Sequence, residues 1–491
     1  MLWVYGEEHI KRTLMNQNNF WSSTIVFGCG FLFIRAVSFL LLPIHTNILD
    51  PNSLGYIFIF ITFLAFMNAL YSFGMDSALL KFYNKNNKIL FTSIIGSFIF
   101  IIPISTVIYL TSDYIKLILF SQSLNISSTI LNSNSWIFCS IVILACDVVS
   151  SRIMVLCRIL NLPWYYLLVA SINIVTSIGL NIYFLYFKNP AMQFDGVILA
   201  MLIVSIVQLL FLLPLFIIQT SYWQFKYKYF KQMFNFAWPF FPATIFFIII
   251  ELVDRVMIEN LLSTHDVGLY GAGYKVGALM LMIVRGFNLS WQPYYLNTAN
   301  KTDSELISNF SHIGNIVMVV LIFISGLISS IWPFLLNISV GSFKILGASF
   351  VDGGEIIPYI LLSYTFYGVF ILQMPSIYLK NKQNWAPVFW GMGALINIIG
   401  NIVLLPLMGF VGAAISTLLA YFAMAVAIIW KNYSWLWIPY NYKILFMSAG
   451  ISLSSYLLIV KFEYNVLLIL GIYVCTMLKI IYTTHSQHRL T

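Results

Sequence analysis

The chain has 491 residues, of which 60% are hydrophobic, 17% aromatic and only 8% charged, with a formal net charge of +9. Soluble domains carry about 25% charged residues, so this composition excludes a soluble enzyme and a disulfide-stapled secreted scaffold. The excess of Lys and Arg lies in loops between apolar runs, where it reads as an orientation signal and not as a nucleic-acid surface.

Runs long enough to cross about 30 Å of hydrocarbon recur along the chain. Lys11 and Arg12 precede the first, Phe20 to Pro43. That run is longer than a signal-peptide core and no A-x-A site follows it, so it is expected to remain in the mature protein. Further spans are expected at Gly55 to Ala78, Ile89 to Leu110, Trp136 to Val155, Trp164 to Phe187 and Val197 to Ile218. After a linker with Lys226, Lys228 and Lys231 among aromatics come Phe236 to Ile258, Val267 to Ser290, Ile313 to Leu335, Ile356 to Ile377, Pro387 to Met408 and Gly412 to Trp430. Two more, Ile444 to Val460 and Val466 to Ile481, close the series at about fourteen transmembrane helices in an all-α polytopic membrane protein.

Cytoplasmic loops retain Lys and Arg, and the alternation of these spans leaves only Lys116, Lys188, Lys344 and Lys461 on the opposite side. Both termini are therefore expected to be cytoplasmic. The longest loops, Thr111 to Ser135 and Leu336 to Glu355, are too short to fold as domains, so any chemistry is expected within the membrane. Cys29, Cys139, Cys146, Cys157 and Cys475 form no CxxC and lie in or beside spans as small apolar residues. His45, His265 and His312 sit at helix ends and form no metal constellation, and no cofactor is expected.

The two longest loops follow the third and ninth spans, which points to a six-helix repeat. Leu54-Gly55-Tyr56 is echoed by Gly268-Leu269-Tyr270, Ser171 to Val175 by Leu395 to Ile399, and Phe194 to Val197 by Phe410 to Ala413. Six crossings return the chain to its starting side, so the halves share an orientation about an axis along the membrane normal. The expected organisation is an N-lobe (18–218), a cytoplasmic linker (219–234), a C-lobe (235–430) and a C-terminal helix pair with its tail (431–491).

Four cations fall inside spans: Arg35 on the first, Arg255 on the seventh, and Lys275 and Arg285 on the eighth. Each costs about 2.5 to 3.5 kcal/mol at a helix centre on the insertion scale, so they are expected to face a wet or anionic pathway. Arg suits a phosphate because its planar fork donates paired hydrogen bonds. Glu251 and Asp254 share the seventh span with Arg255 and offer either ion coupling or structural pairing with it, Glu251 as its i, i+4 partner. Asn173, Asn397 and Asn401 are candidates for contacts to a polar substrate, which the resemblance described next makes a glycan, or, as is usual in membrane bundles, for bridges between helices. Pro103, Pro214, Pro242 and Pro375 lie within spans as candidate kinks, and Tyr and Trp near span ends read as the interfacial belt.

The passage Trp238-Pro239 through Pro242, Asp254-Arg255, Asp266 to Tyr270 and Trp291-Gln292-Pro293 resembles the central region of bacterial polysaccharide flippases of the Wzx type. So do Leu49 to Tyr56 after Arg35, and Ile396-Asn397 through Asn401, Pro406, Gly409 and Gly412-Ala413-Ala414. The resemblance implies the multidrug/oligosaccharidyl-lipid/polysaccharide exporter superfamily. It further implies that an undecaprenyl-diphosphate-linked oligosaccharide, an O-antigen or capsule repeat unit, moves from the inner to the outer leaflet of the bacterial cytoplasmic membrane by alternating access. A polysaccharide polymerase and a chain-length regulator are the partners implied. A drug or organic-cation antiporter of the same superfamily is the alternative reading, and a membrane polysaccharide polymerase or ligase a third.

Overall fold

The computed structural model describes residues 39–83, 88–120, 135–187, 193–220, 224–238, 241–297, 302–340, 343–462 and 465–486. Within hydrocarbon a helix satisfies every backbone N–H and C=O internally, and the described residues are helical apart from short connections and the two-residue strands Ser339–Val340 and Phe343–Lys344. In chain order the helices are α1 (Phe39–Ile48), α2 (Pro51–Ser72), α3 (Met75–Phe82), α4 (Lys88–Leu110), α5 (Ser112–Leu119), α6 (Ser135–Ile159), α7 (Pro163–Phe187), α8 (Gln193–Gln219), α9 (Tyr227–Ala237) and α10 (Phe241–Leu261). They continue as α11 (Thr264–Gly277), α12 (Leu279–Asn297), α13 (Asp303–Asn337), α14 (Ile357–Gln373), α15 (Pro375–Leu379), α16 (Ala386–Met408), α17 (Phe410–Trp435), α18 (Tyr442–Tyr456) and α19 (Val466–Ser486).

Among the described residues, 11 helices are long and apolar enough to cross a membrane, or up to 13 if each of two bent pairs is one span. The chain is a multi-pass membrane protein. The first expected span lies outside the described residues except for its last turn, so the count of fourteen is not reached among them. The bends fall between α9 and α10 (50°) and between α11 and α12 (41°). Pro103 and Pro214 sit inside unbroken helices, whereas Pro242 and Pro375 stand in first turns, where a missing N–H leaves nothing unpaired.

Local chemistry sets the starts of α2 and α11. Asp50 accepts from the backbone N–H of Asn52 and Ser53 (3.1 and 3.4 Å) ahead of Pro51, and Ser263 accepts from Asp266 N (3.1 Å). The two helices then cross through glycines. A Cβ at Gly268 would stand 2.0 Å from the Pro51 carbonyl oxygen, and one at Gly55 would stand 2.2 Å from that of Thr264. The contact is reciprocal: each glycine meets the residue four positions before the other, as small residues do where membrane helices approach closely. At the same end of the bundle, Asn47 exchanges two hydrogen bonds with the Lys344 backbone (2.7 and 3.1 Å), and Gly347 N donates to Thr46 (3.1 Å). Asn260 of α10 donates to the Ile118 carbonyl of α5 (3.0 Å).

A side chain at Gly268 therefore has no room while α2 and α11 are packed. Gly268→Val is expected to wedge this end apart, and spin labels at the exposed positions Asn52 and His265 should then report a longer separation than in the parent protein. Unchanged distances would sink this reading of the crossing.

The remaining helices pack by adjacency. α16, α17, α14 and α10 form one group, and α6, α7 and α8 another. The expected C-terminal pair, α18 and α19, rests on α13, where the Tyr473 hydroxyl donates to the Phe323 carbonyl (2.8 Å) and meets Ser452 (2.9 Å). Arg152, fully buried on α6, pairs with Asp76 of α3 and donates to the Ser72 carbonyl (2.7 Å).

Candidate functional site

The buried positions of α10 are Ile250, Glu251, Asp254, Arg255, Ile258 and Glu259. They recur at the spacing that a 3.6-residue period puts on one face. That face meets α11, α14, α16 and α17, each of which brings a hydroxyl or amide to a carboxylate.

Asp254 is fully buried. Its Oδ2 accepts from the Tyr270 hydroxyl (2.5 Å) and from Thr417 Oγ1 (3.0 Å), and its Oδ1 accepts from Asn401 Nδ2 (2.9 Å). Glu251 accepts from the Tyr421 hydroxyl on one oxygen and from the Tyr364 hydroxyl (2.9 Å) on the other. The hydroxyls of Tyr274 and Tyr364 are 2.6 Å apart. A phenol has one proton, so Tyr364, which donates to Glu251, accepts from Tyr274. The longer Tyr274 contact to Glu251, at 3.4 Å, is then secondary.

Arg255 lies between the two acids without an ion pair to either within 4.0 Å. Its guanidinium donates to the Glu251 carbonyl and stands over the rings of Tyr274 and Tyr270, 3.9 and 5.2 Å from their centroids. The i, i+4 spacing brings Arg255 to the backbone of Glu251 and not to its carboxylate, because the phenols already occupy the carboxylate and their ring faces attract the cation.

Lys275 and Arg285 border this cluster without an ion pair to it: Tyr367 beside Arg285 packs on Tyr421 (5.3 Å between ring centroids), and Lys275 lies within electrostatic reach of Arg255. Lys275, half-buried near the end of α11, places Nζ 4.9 Å from the centroid of Phe58 on α2. Arg285, half-buried on α12 beyond the 41° bend, stands 4.5 Å from the centroid of Phe247 and hydrogen-bonds Tyr367. Among the described residues no carboxylate oxygen lies within 4.0 Å of either cation. Ten positions separate them along the chain, about 15 Å of helical rise. Arg35 lies outside the described residues.

The asparagines all join helices. Asn173 donates to Gln208 between α7 and α8, Asn397 to Thr417 (3.2 Å) between α16 and α17, and Asn401 to Asp254 of α10. An apolar cavity of about 360 Å³ at the seam of α2, α5 and α10, lined by Phe63, Met67, Ile118, Ile245 and Val256 among others, receives none of the charges. Among the described residues no group of three or more His, Cys, Asp or Glu could hold a metal ion.

The tyrosines escaped the sequence reading, which considered only Tyr and Trp near span ends, as an interfacial belt. A signal was present: Tyr270 and Tyr274 stand one turn apart in the glycine-rich α11, and Tyr364 and Tyr421 lie well inside their helices.

The fold is shared with solved transporters. A structure of the lipid II flippase MurJ in an inward closed conformation superposes with a TM-score of 0.65 over 94% of this chain and 98% of that chain, at 16% identity. Inward-facing and outward-facing structures of a multidrug resistance MATE family transporter of the MOP superfamily each give a TM-score of 0.60. The first is 13% identical over 82% of this chain and 94% of that one, the second 12% identical over 86% and 97%. No curated protein sequence matches. The model of the family described as polysaccharide biosynthesis protein matches residues 20–299, more than half of the chain. With the transporter fold carrying that sequence pattern, the chain belongs to the polysaccharide biosynthesis protein family.

Proposed function

We propose that the protein is a flippase that moves an undecaprenyl-diphosphate-linked oligosaccharide, an O-antigen or capsule repeat unit, from the cytoplasmic to the outer leaflet of the bacterial inner membrane. The carrying observation is the pair Lys275 and Arg285, two cations within spanning segments that no carboxylate within 4.0 Å neutralises. A lipid diphosphate supplies the missing negative charge, and two sites about 15 Å apart along a bent span give it successive stations. Arg35 on the first span and Arg255 extend the same ladder.

The lobes of this reading are residues 18–218 and 235–430, joined by the linker 219–234 on the cytoplasmic side, with 431–491 as an appendage. The reciprocal Gly55 and Gly268 contact supports it, because both glycines lie in the segments that echo each other, Leu54-Gly55-Tyr56 and Gly268-Leu269-Tyr270. In this topology the crossing closes the outer end while the other end admits substrate.

Glu251 and Asp254 are the candidate ion-coupling groups. They accept only from neutral donors among their hydrogen bonds, so a proton exchanged there breaks no ion pair. Their engagement also weighs against a drug antiporter for organic cations, which would need an acid free to face its substrate. The membrane potential favours outward movement of a diphosphate by about 4 to 5 kcal/mol per 100 mV.

Proteoliposomes loaded with a fluorescent lipid-linked oligosaccharide test the proposal. Label should cross leaflets without cleavage of the diphosphate bond. Release of free undecaprenyl diphosphate would instead assign a polymerase or ligase, and efflux of cationic dyes an antiporter.

A further inference from the structure

α9 carries a lysine surface that the transport reading does not use. From Gly196 to Ile250 the chain contains no Asp or Glu, and Lys226, Lys228 and Lys231 stand within six residues of one another in that stretch. On α9 the two faces separate cleanly. Phe230, Met233 and Ala237 are buried, while Lys228, Lys231, Gln232 and Asn235 are exposed, as is Lys226 at the N-cap.

The apolar face is committed to protein and not to lipid. Phe230 packs at Gly96 of α4 so tightly that a Cβ there would stand 2.5 Å from its ring, and Lys226 N donates to Thr92 (3.2 Å). Phe234 stacks on Phe73 (5.3 Å) and Phe100 (5.9 Å). The helix is thus held rigidly across the ends of α2 and α4, bent 50° from α10, with its lysines turned outward. Lys81 of α3 joins the same surface, its Nζ 4.0 Å over the Phe236 ring just beside this helix. Exposed Tyr227 and Trp238 flank the lysines, and such amphipathic rings settle at the headgroup level of a bilayer.

The geometry points to a docking surface for anionic phospholipid headgroups, formed by Lys226, Lys228, Lys231 and Lys81. A rigid row of exposed ammonium groups at a span end, free of acids in its own segment and framed by interfacial aromatics, is complementary to a negatively charged leaflet. The surface lies at the bundle end opposite Pro51 and Thr264. Anchoring α9 to the leaflet would hold the ends of α2 and α4 in a set relation to the membrane plane while α10 bends away from them. The inference does not rest on the transport reading.

Native mass spectrometry of the full chain in detergent, titrated with phosphatidylglycerol or phosphatidylcholine, tests it. The parent protein should bind phosphatidylglycerol preferentially, and the preference should collapse toward 1 M salt, where the Debye length is about 3 Å. In K226Q/K228Q/K231Q the preference should fall by about fivefold per lysine, the equivalent of ~1 kcal/mol each. The buried face of α9 is untouched, and an unchanged melting temperature would confirm that the variant folds. K443Q/K479Q, which removes exposed lysines elsewhere, should keep the parent preference. An undiminished preference in the triple variant, or an equal loss in the control, would overturn the proposal.

Discussion

Neutralising both free cations, as Lys275→Gln with Arg285→Gln, is expected to lower translocation of a lipid-linked oligosaccharide by at least about 100-fold while leaving the protein folded. Hydrogen bonds to charged groups are worth about 1.5 to 3 kcal/mol, roughly 10- to 150-fold each. Neither cation has a carboxylate oxygen within 4.0 Å to share the load, although Arg285 is within electrostatic reach of Glu251 and Lys275 of Arg255. The fold is expected to survive, because removing either side chain breaks no ion pair within 4.0 Å, Glu251 keeps its hydrogen bonds from Tyr364 and Tyr421, and the cations rest mainly on rings, Phe58 and Phe247. Transport in proteoliposomes and melting temperature in detergent should therefore separate. A double variant that transports at the parent rate would remove the diphosphate ladder, and one that fails to fold would show the cations to be structural.

The opposite signature is expected at Asp254. Replacing it by Ala withdraws the acceptor from Tyr270, Thr417 and Asn401, all buried, and leaves Arg255 with a single acid nearby, one that is already saturated by phenols. Removing one partner from a buried charged network costs about 3 to 5 kcal/mol, chiefly through the uncompensated charge left behind. Asp254→Ala should accordingly melt well below the parent protein. Adding Arg255→Met should restore part of the loss by removing the stranded guanidinium. If the double variant were less stable than Asp254→Ala, Arg255 would owe its place to its stacking on Tyr270 and Tyr274 and not to the acid.

These contrasting expectations arise from one helix pair whose residues look alike in sequence. Arg255, Lys275 and Arg285 are all cations in apolar runs, and their positions within the spans order them only along the membrane normal. The lateral direction distinguishes them. Arg255 turns onto the rings of Tyr270 and Tyr274 on α11, Lys275 turns toward Phe58 on α2, and Arg285, beyond a bend, turns toward Phe247 on α10 and Tyr367 on α14. The bend itself, at Ala278, has no proline to announce it.

The spans were legible because hydrocarbon thickness imposes a length and an unpaired backbone imposes a helix, whatever the neighbours are. Gly55 and Gly268 were legible as members of echoing segments at the starts of two spans, although only the packed helices make them partners. Asn173, Asn397 and Asn401 could be read from sequence as bridges or as ligands, and the structure turns their amide donors onto Gln208, Thr417 and Asp254.

Sequence alone thus determined membrane class, helix positions and the presence of costly charges within the bilayer, since each follows from transfer energies that act residue by residue. Which charges are spoken for was decided by tertiary structure, because a hydrogen bond to Glu251 or Asp254 needs a phenol or amide from a helix up to 170 positions away in the chain. No local pattern encodes that distance, and the packing that supplies it surrounds Arg255 with the rings of Tyr270 and Tyr274 while Lys275 and Arg285 meet Phe58 and Phe247.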